Sequence, residues 1–216
     1  MGRMNIGTVT PDPALATAST WLLVPLCLAV LLRAPWRQLM AEQERMNALG
    51  VAILVLSLLW SMSPELQGGE KLHLLGMTTV TLVFGWQLAI FAGAMAGLVM
   101  LVVGNWSPET FALNLLLTVV VPVAVTSFVL LLADRLRRTN LFVYMLGVGF
   151  AGSMLAIGAS LWLASYLLGT ELDHALVLLI TFPEGFINGA VISALTVFAP
   201  ELMRTYDDER YLGKPK

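Results

Sequence analysis

The stretch Leu72–Gly104, reading LHLLGMTTVTLVFGWQLAIFAGAMAGLVMLVVG, decides the architecture of this chain. It is too long for one membrane span, because a hydrocarbon core of about 30 Å is crossed by about 20 helical residues. It is also short for two. Gly85, Trp86 and Gln87 interrupt it near its middle, as a tight helical hairpin requires. The flanking charges settle the choice. The loops Glu65–Lys71 and Asn105–Glu109 carry acids and a single lysine between them. Ten of the twelve basic residues lie in three clusters elsewhere: Arg33, Arg37 and Arg45; Arg135, Arg137 and Arg138; and Arg204, Arg210, Lys214 and Lys216. Basic loops stay in the cytoplasm, so both acidic loops face outward. The run between them must enter and return. The count becomes about seven transmembrane helices, with the N-terminus outside and the C-terminus cytoplasmic.

The remaining apolar runs agree with an all-α, polytopic membrane bundle: Ala14–Leu32, Asn47–Ser63, Phe111–Ala133, Leu141–Leu168 and His174–Phe198. Of 216 residues, 58% are hydrophobic and 12% charged, where a soluble domain carries about 25% charged residues. That excess of apolar side chains excludes a water-soluble enzyme as the default, and a disordered chain with it. A net charge of −2 offers no basic field for nucleic acid. The single cysteine, Cys27, forms no internal disulfide and reads as a small buried hydrophobe. The N-terminal stretch through Pro13 is polar and lacks a clear cleavage site, so the first helix is expected to be retained. Residues 1–198 form one transmembrane domain on this reading, and residues 199–216 a short polar cytoplasmic tail.

Ionisable groups at membrane depth are costly and therefore informative. The clear case is Glu184, within Thr181-Phe182-Pro183-Glu184-Gly185-Phe186-Ile187-Asn188-Gly189. It lies ten residues past His174, about 15 Å along a helix. Asn188 follows by four residues and projects from the same face. Pro183 weakens the helix beside them, and Gly185 and Gly189 permit close approach of neighbours. Two readings stand level: part of a solute or ion path, or a structural lock in which Glu184 bonds backbone amines or hydroxyls of an adjacent helix. Asn114 and Pro122 mark a similar irregularity, read as an interhelical hydrogen bond and a kink ahead of a place on the substrate path. Gly93 with Gly97, and Gly147 with Ala151, are small-residue pairs at helical spacing, suited to helix packing within this chain or against a partner. His73 and His174 stand at outer helix ends, each either solvated or a metal ligand. The chain has no HExxH, CxxC or G-x-S-x-G pattern and no Walker loop, so no enzyme activity is expected. Any energy input comes from another subunit.

Three segments together resemble the cobalt and nickel substrate-binding membrane components of energy-coupling factor (ECF) ABC transporters. Leu72-His73-Leu74-Leu75-Gly76 is similar to that family's histidine-leucine-leucine-glycine motif. Phe111 to Pro122, with Asn114, resembles its asparagine-containing fifth span, and Phe182 to Gly189 its proline-glutamate-glycine signature. The resemblance covers about three-fifths of the chain. It implies a permease of a bacterial-type plasma (inner) membrane that captures a divalent transition metal ion of the Co²⁺ or Ni²⁺ class, or a related small solute, as transported cargo, with no permanently bound cofactor. Its implied partners are lipid, a transmembrane coupling protein and cytoplasmic ATPase subunits. Family members hold the ion through the N-terminal amine, a histidine at position two and the motif histidine. His73 matches the last. Where the family begins Met-His-Ile-Pro-Asp-Gly, this chain reads Met4-Asn5-Ile6, with Pro11-Asp12-Pro13 displaced. Asn5 offers a neutral oxygen, a poorer ligand for these ions than imidazole. Initiation at Met4 would place an amine beside Asn5, whereas Met1 sets it three residues earlier. The missing histidine leaves a second reading, a non-transport membrane accessory or assembly factor on the same fold.

Overall fold

The computed structural model describes residues 12–62, 74–135, 140–207 and 211. Helix α1 spans Pro13–Arg33; Asp12 caps it by accepting the Ala14 N–H at 3.0 Å, and Pro13 occupies the first turn, where no backbone donor is needed. It stops at Ala34, whose extended backbone is what a following proline demands. A short α2 (Trp36–Ala41) leads into α3 (Gln43–Ser61). Then come α4 (Met77–Phe84) and α5 (Trp86–Val103), followed by α6 (Pro108–Leu115), a π-helical turn Leu116–Val120 and α7 (Val121–Arg135) in one continuous rod. A second rod joins the π-helix Val143–Ala151 to α8 (Gly152–Leu168), and α9 (His174–Phe198) closes the bundle. A single 3₁₀ turn, Pro200–Leu202, follows.

Six of these rods are long and apolar enough to cross a membrane. The seventh segment is α4. The run Leu72–Gly104 does reverse at Gly85, whose φ of +83° suits glycine. Its first limb, however, is only eight residues long, about 12 Å of helix. Seven of those eight side chains are buried, including Met77 and Leu82 at 0% exposure. So α4 is an enclosed half-span packed against α5, α7, α8 and α9. The outer helices behave oppositely. On α1 and α3, Trp21, Leu32, Leu54 and Leu58 are exposed, as a lipid-facing surface should be.

The connections sort onto two faces. Pro35, Gln38, Arg45, Phe84 and Arg204 line one shallow cavity, so the α1–α3 link, the α4–α5 turn and the segment after α9 share a face. Tyr211 donates to Asp134 at 3.2 Å, and the Tyr144 ring lies 5.4 Å from that of Tyr206, which brings the end of α7 and the start of the π-helix Val143–Ala151 there too. Arg33, Arg45, Arg135 and Arg204, from all three basic clusters, therefore belong to one face, as the charge pattern requires. At the other face Trp60 stacks on Trp106, and Trp162 meets His174.

Glycines set the closest helix contacts. A Cβ on Gly93 would stand 2.6 Å from Val119 Cγ1, and one on Gly97 2.8 Å from Leu115 Cδ2, so this pair does serve helix packing. The pair Gly147 and Ala151 meets no other helix within the bundle: Ala151 is exposed, and Gly147 faces only Val143 of its own turn. Gly147 is half-buried and Ala151 exposed on the π-helix Val143–Ala151, so the side of this rod that meets the bundle lies elsewhere. Gly149 and Gly152 make the contacts instead, against Ile192 and Val129.

Candidate functional site

The most polar region of the interior forms where α9 meets the start of α4. The carboxyl group of Glu184, 2% exposed, accepts the Leu75 N–H on Oε2 and the Gly76 N–H on Oε1, both at 2.8 Å. Asn188 Nδ2 donates to the same Oε1 at 2.8 Å and to the Glu184 carbonyl at 2.9 Å. Its Oδ1 accepts the Thr79 N–H at 3.0 Å and the Thr79 hydroxyl at 2.7 Å. One helix thus caps another. The first N–H groups of a helix have no internal partner, and in hydrocarbon no water replaces one. Two side chains four residues apart on α9 satisfy them from more than a hundred positions away. An acidic group at a helix N-terminus also complements the macrodipole.

The turn Leu74–Gly76 is held from a second side. Trp60 Nε1 donates to the Leu75 carbonyl at 3.3 Å, and the Trp60 ring stacks on Trp106 with centroids 5.6 Å apart. Gly76 adopts φ +66°, and a Cβ there would lie 3.2 Å from Leu56 Cδ2. The result is a fixed backbone turn about 15 Å below the His174 end of α9.

Sequence reasoning found Glu184 and Asn188 as a shared polar face, and the structure brings them together. The lock expected of Glu184, a bond to backbone amines of another helix, is what the geometry shows; that Leu75, Gly76 and, through Asn188, Thr79 supply the donors is not legible in the sequence. The nearest signal is the glycine that closes the motif. Asn114 is buried too, but its Nδ2 donates at 3.3 Å to Thr110 Oγ1 on its own helix, and its Oδ1 has no partner. The expected interhelical bond is therefore not what this side chain makes. The irregularity near Pro122 is the π-turn Leu116–Val120, a frequent response to an interruption of the backbone ladder. Because that oxygen is unmatched, Asn114→Leu is expected to leave stability within about 1 kcal/mol of wild type or raise it. Denaturant titration in micelles checks this; a loss beyond about 2 kcal/mol would mean that the amide carries an important bond.

His73 and Asn5, the two expected metal ligands, lie outside the described residues. Among the described residues no group of three or more His, Cys, Asp or Glu side chains is placed to hold a metal ion. His174 is exposed at the start of α9, its ring 5.7 Å from that of Trp162.

Comparison with curated proteins and with solved structures gives no significant match. The family model of the cobalt uptake substrate-specific transmembrane region, CbiM, matches residues 11–202. That span runs from the residue before the α1 cap to the 3₁₀ turn after α9, and so includes the α4 hairpin and both residues that cap it. This chain therefore belongs to the CbiM family: it is a multi-pass membrane component of cobalt uptake.

Proposed function

We propose that this chain is the substrate-binding membrane component of an ECF-type transporter, with Co²⁺ or Ni²⁺ as cargo. It receives the ion at the outer face and works with a separate transmembrane coupling protein and cytoplasmic ATPase subunits. The setting is a bacterial-type inner membrane, with the basic face in the cytoplasm. His73 serves as a ligand, and Asn5 contributes as far as its neutral oxygen allows. Residues 1–198 act as one transmembrane unit.

The observation that carries this reading is the clamped turn Leu74–Gly76. It directly follows His73 in the chain, and its position is held by Glu184, Trp60 and the glycine conformation. Order in the chain beside a ligand lowers the freedom lost on binding an ion. In this scheme Glu184 and Asn188 are positioning residues, and the ion does not touch them.

Calorimetry on purified protein tests the proposal. Cobalt chloride should produce saturable heat, and His73→Ala should weaken the affinity at least about tenfold, while its unfolding midpoint stays near that of wild type. Folded wild-type protein that gives no heat with Co²⁺ or Ni²⁺ would sink the metal reading. The missing histidine beside Met4 favours one alternative, a membrane accessory factor without transport. Affinity capture that recovers another membrane complex, and neither a coupling protein nor an ATPase, would decide for it.

A further inference from the structure

Helix α4 is eight residues long, so nearly every backbone group in it lies in a first or last turn and needs an outside partner. Its N-terminal groups are matched by Glu184 and Asn188 of α9. Its C-terminal carbonyls are matched by the strap that follows α9. The Arg204 N–H donates to the Val83 carbonyl at 2.9 Å. Thr205 donates twice to the Leu82 carbonyl, from its N–H at 3.3 Å and from its hydroxyl at 2.7 Å. Arg204 Nη1 stands 3.5 Å from the Phe84 carbonyl. The acid at one end and the guanidinium at the other both complement the helix dipole.

The strap is tied to the bundle by its own contacts. The Thr205 hydroxyl gives its single proton to Leu82, so the Tyr144 hydroxyl, 2.7 Å away, donates to it. The Tyr144 ring lies 5.4 Å from that of Tyr206 and 4.9 Å from that of Tyr211. Between these clamps α4 is buried, and it leaves the bundle core only through Gly85. A rod held in this way cannot loosen at one end while its own hydrogen-bond ladder keeps the other in register.

We infer that α4 is a coupling rod: the strap Met203–Thr205 and the turn Leu74–Gly76 are energetically linked through it. A protein subunit that engages the strap thereby alters the order of the turn, and an ion bound beside the turn alters the strap. The second half rests on the proposed function; the first does not.

Amide hydrogen exchange on the full-length protein in nanodiscs, without metal, tests the link. Thr205→Val keeps the side-chain volume and deletes the hydroxyl bonds. It should speed exchange at Leu75, Gly76 and Thr79 about tenfold, although these amides lie at the far end of α4. Coupling is reciprocal, so Glu184→Gln should speed exchange at Arg204 and Thr205 by a similar factor. Thr205→Ser, which retains the hydroxyl, should restore the wild-type pattern. Faster exchange confined to the mutated end in both variants overturns the rod. Additive exchange effects in the double variant overturn it as well. Should Thr205→Val fail to fold, Glu184→Gln and Thr205→Ser still decide the matter between them. Cobalt chloride added to wild type should slow exchange in the strap. Reciprocal coupling without any cobalt effect upholds the rod and counts against the metal reading alone.

Discussion

Glu184→Ala is expected to lose about 2–6 kcal/mol of stability, among the largest effects of any single substitution in this chain. Two buried N–H groups, those of Leu75 and Gly76, would be left without an acceptor. Each such group costs about 1–3 kcal/mol when unmatched away from water. The loss is steep because the turn sits inside a membrane bundle, where solvent cannot substitute. Glu184→Gln discriminates further. It keeps one acceptor oxygen but turns an amide donor toward a backbone donor, so at least one N–H stays unpaired and about 1–3 kcal/mol is lost. Denaturant unfolding in micelles reads both. A Glu184→Gln protein indistinguishable from wild type would show that the carboxyl group is not the cap that its geometry describes.

The second large effect belongs to the glycines that directly follow Glu184 and Asn188, about 100° around the same helix. At Gly189 an added Cβ would lie 3.0 Å from Phe150 Cβ and 3.4 Å from Phe150 Cα. Those atoms belong to or adjoin the main chain of the π-helix Val143–Ala151, which cannot swing away as a side chain can. Gly189→Leu is therefore expected to separate α9 from its neighbour, at a cost of about 3 kcal/mol or more. Gly185 is the contrasting case. Its nearest obstacle is Met154 Cγ, 2.5 Å from an added Cβ and on an unbranched, flexible side chain, with the Phe150 carbonyl oxygen behind it at 3.2 Å. Part of the cost of Gly185→Ala should accordingly be recovered in the double variant with Met154→Ala, whereas no side-chain truncation should rescue Gly189→Leu beyond about 0.5 kcal/mol. A double-mutant cycle measures the difference. Equal rescue at both positions would overturn the distinction between side-chain and backbone obstruction.

These two faces of α9 explain why its segment was the most informative part of the sequence. A carboxylate, an amide and two glycines at four-residue spacings are readable without coordinates, because helical periodicity is local. That Glu184 can bond backbone amines of a neighbouring helix is also readable; which amines is not, since the partners lie more than a hundred residues earlier. The same limit applied to Asn114, whose amide turned toward Thr110 of its own helix. It applied again to Gly147 and Ala151, whose spacing marks a small-residue face without saying whether that face meets the bundle. Residues beyond Phe198 showed the greatest gap. Their polar composition reads as a surface tail, yet Met203 and Tyr211 are buried and Thr205 bonds into α4. Main-chain capping by a nonlocal strap leaves no pattern in composition.

By itself, the sequence determined the solvent, the number of membrane-penetrating segments and the sharing of one face by the three basic clusters. Hydrophobic length and charge placement respond to the bilayer, and those responses are written residue by residue. Only the tertiary structure decided that the limb before Gly85 is a half-span helix, and that Glu184, Asn188 and Thr205 exist to complete it. Hydrocarbon offers no hydrogen bonds, so a short buried helix must borrow its caps, and the lenders are chosen by the fold rather than by proximity in the chain.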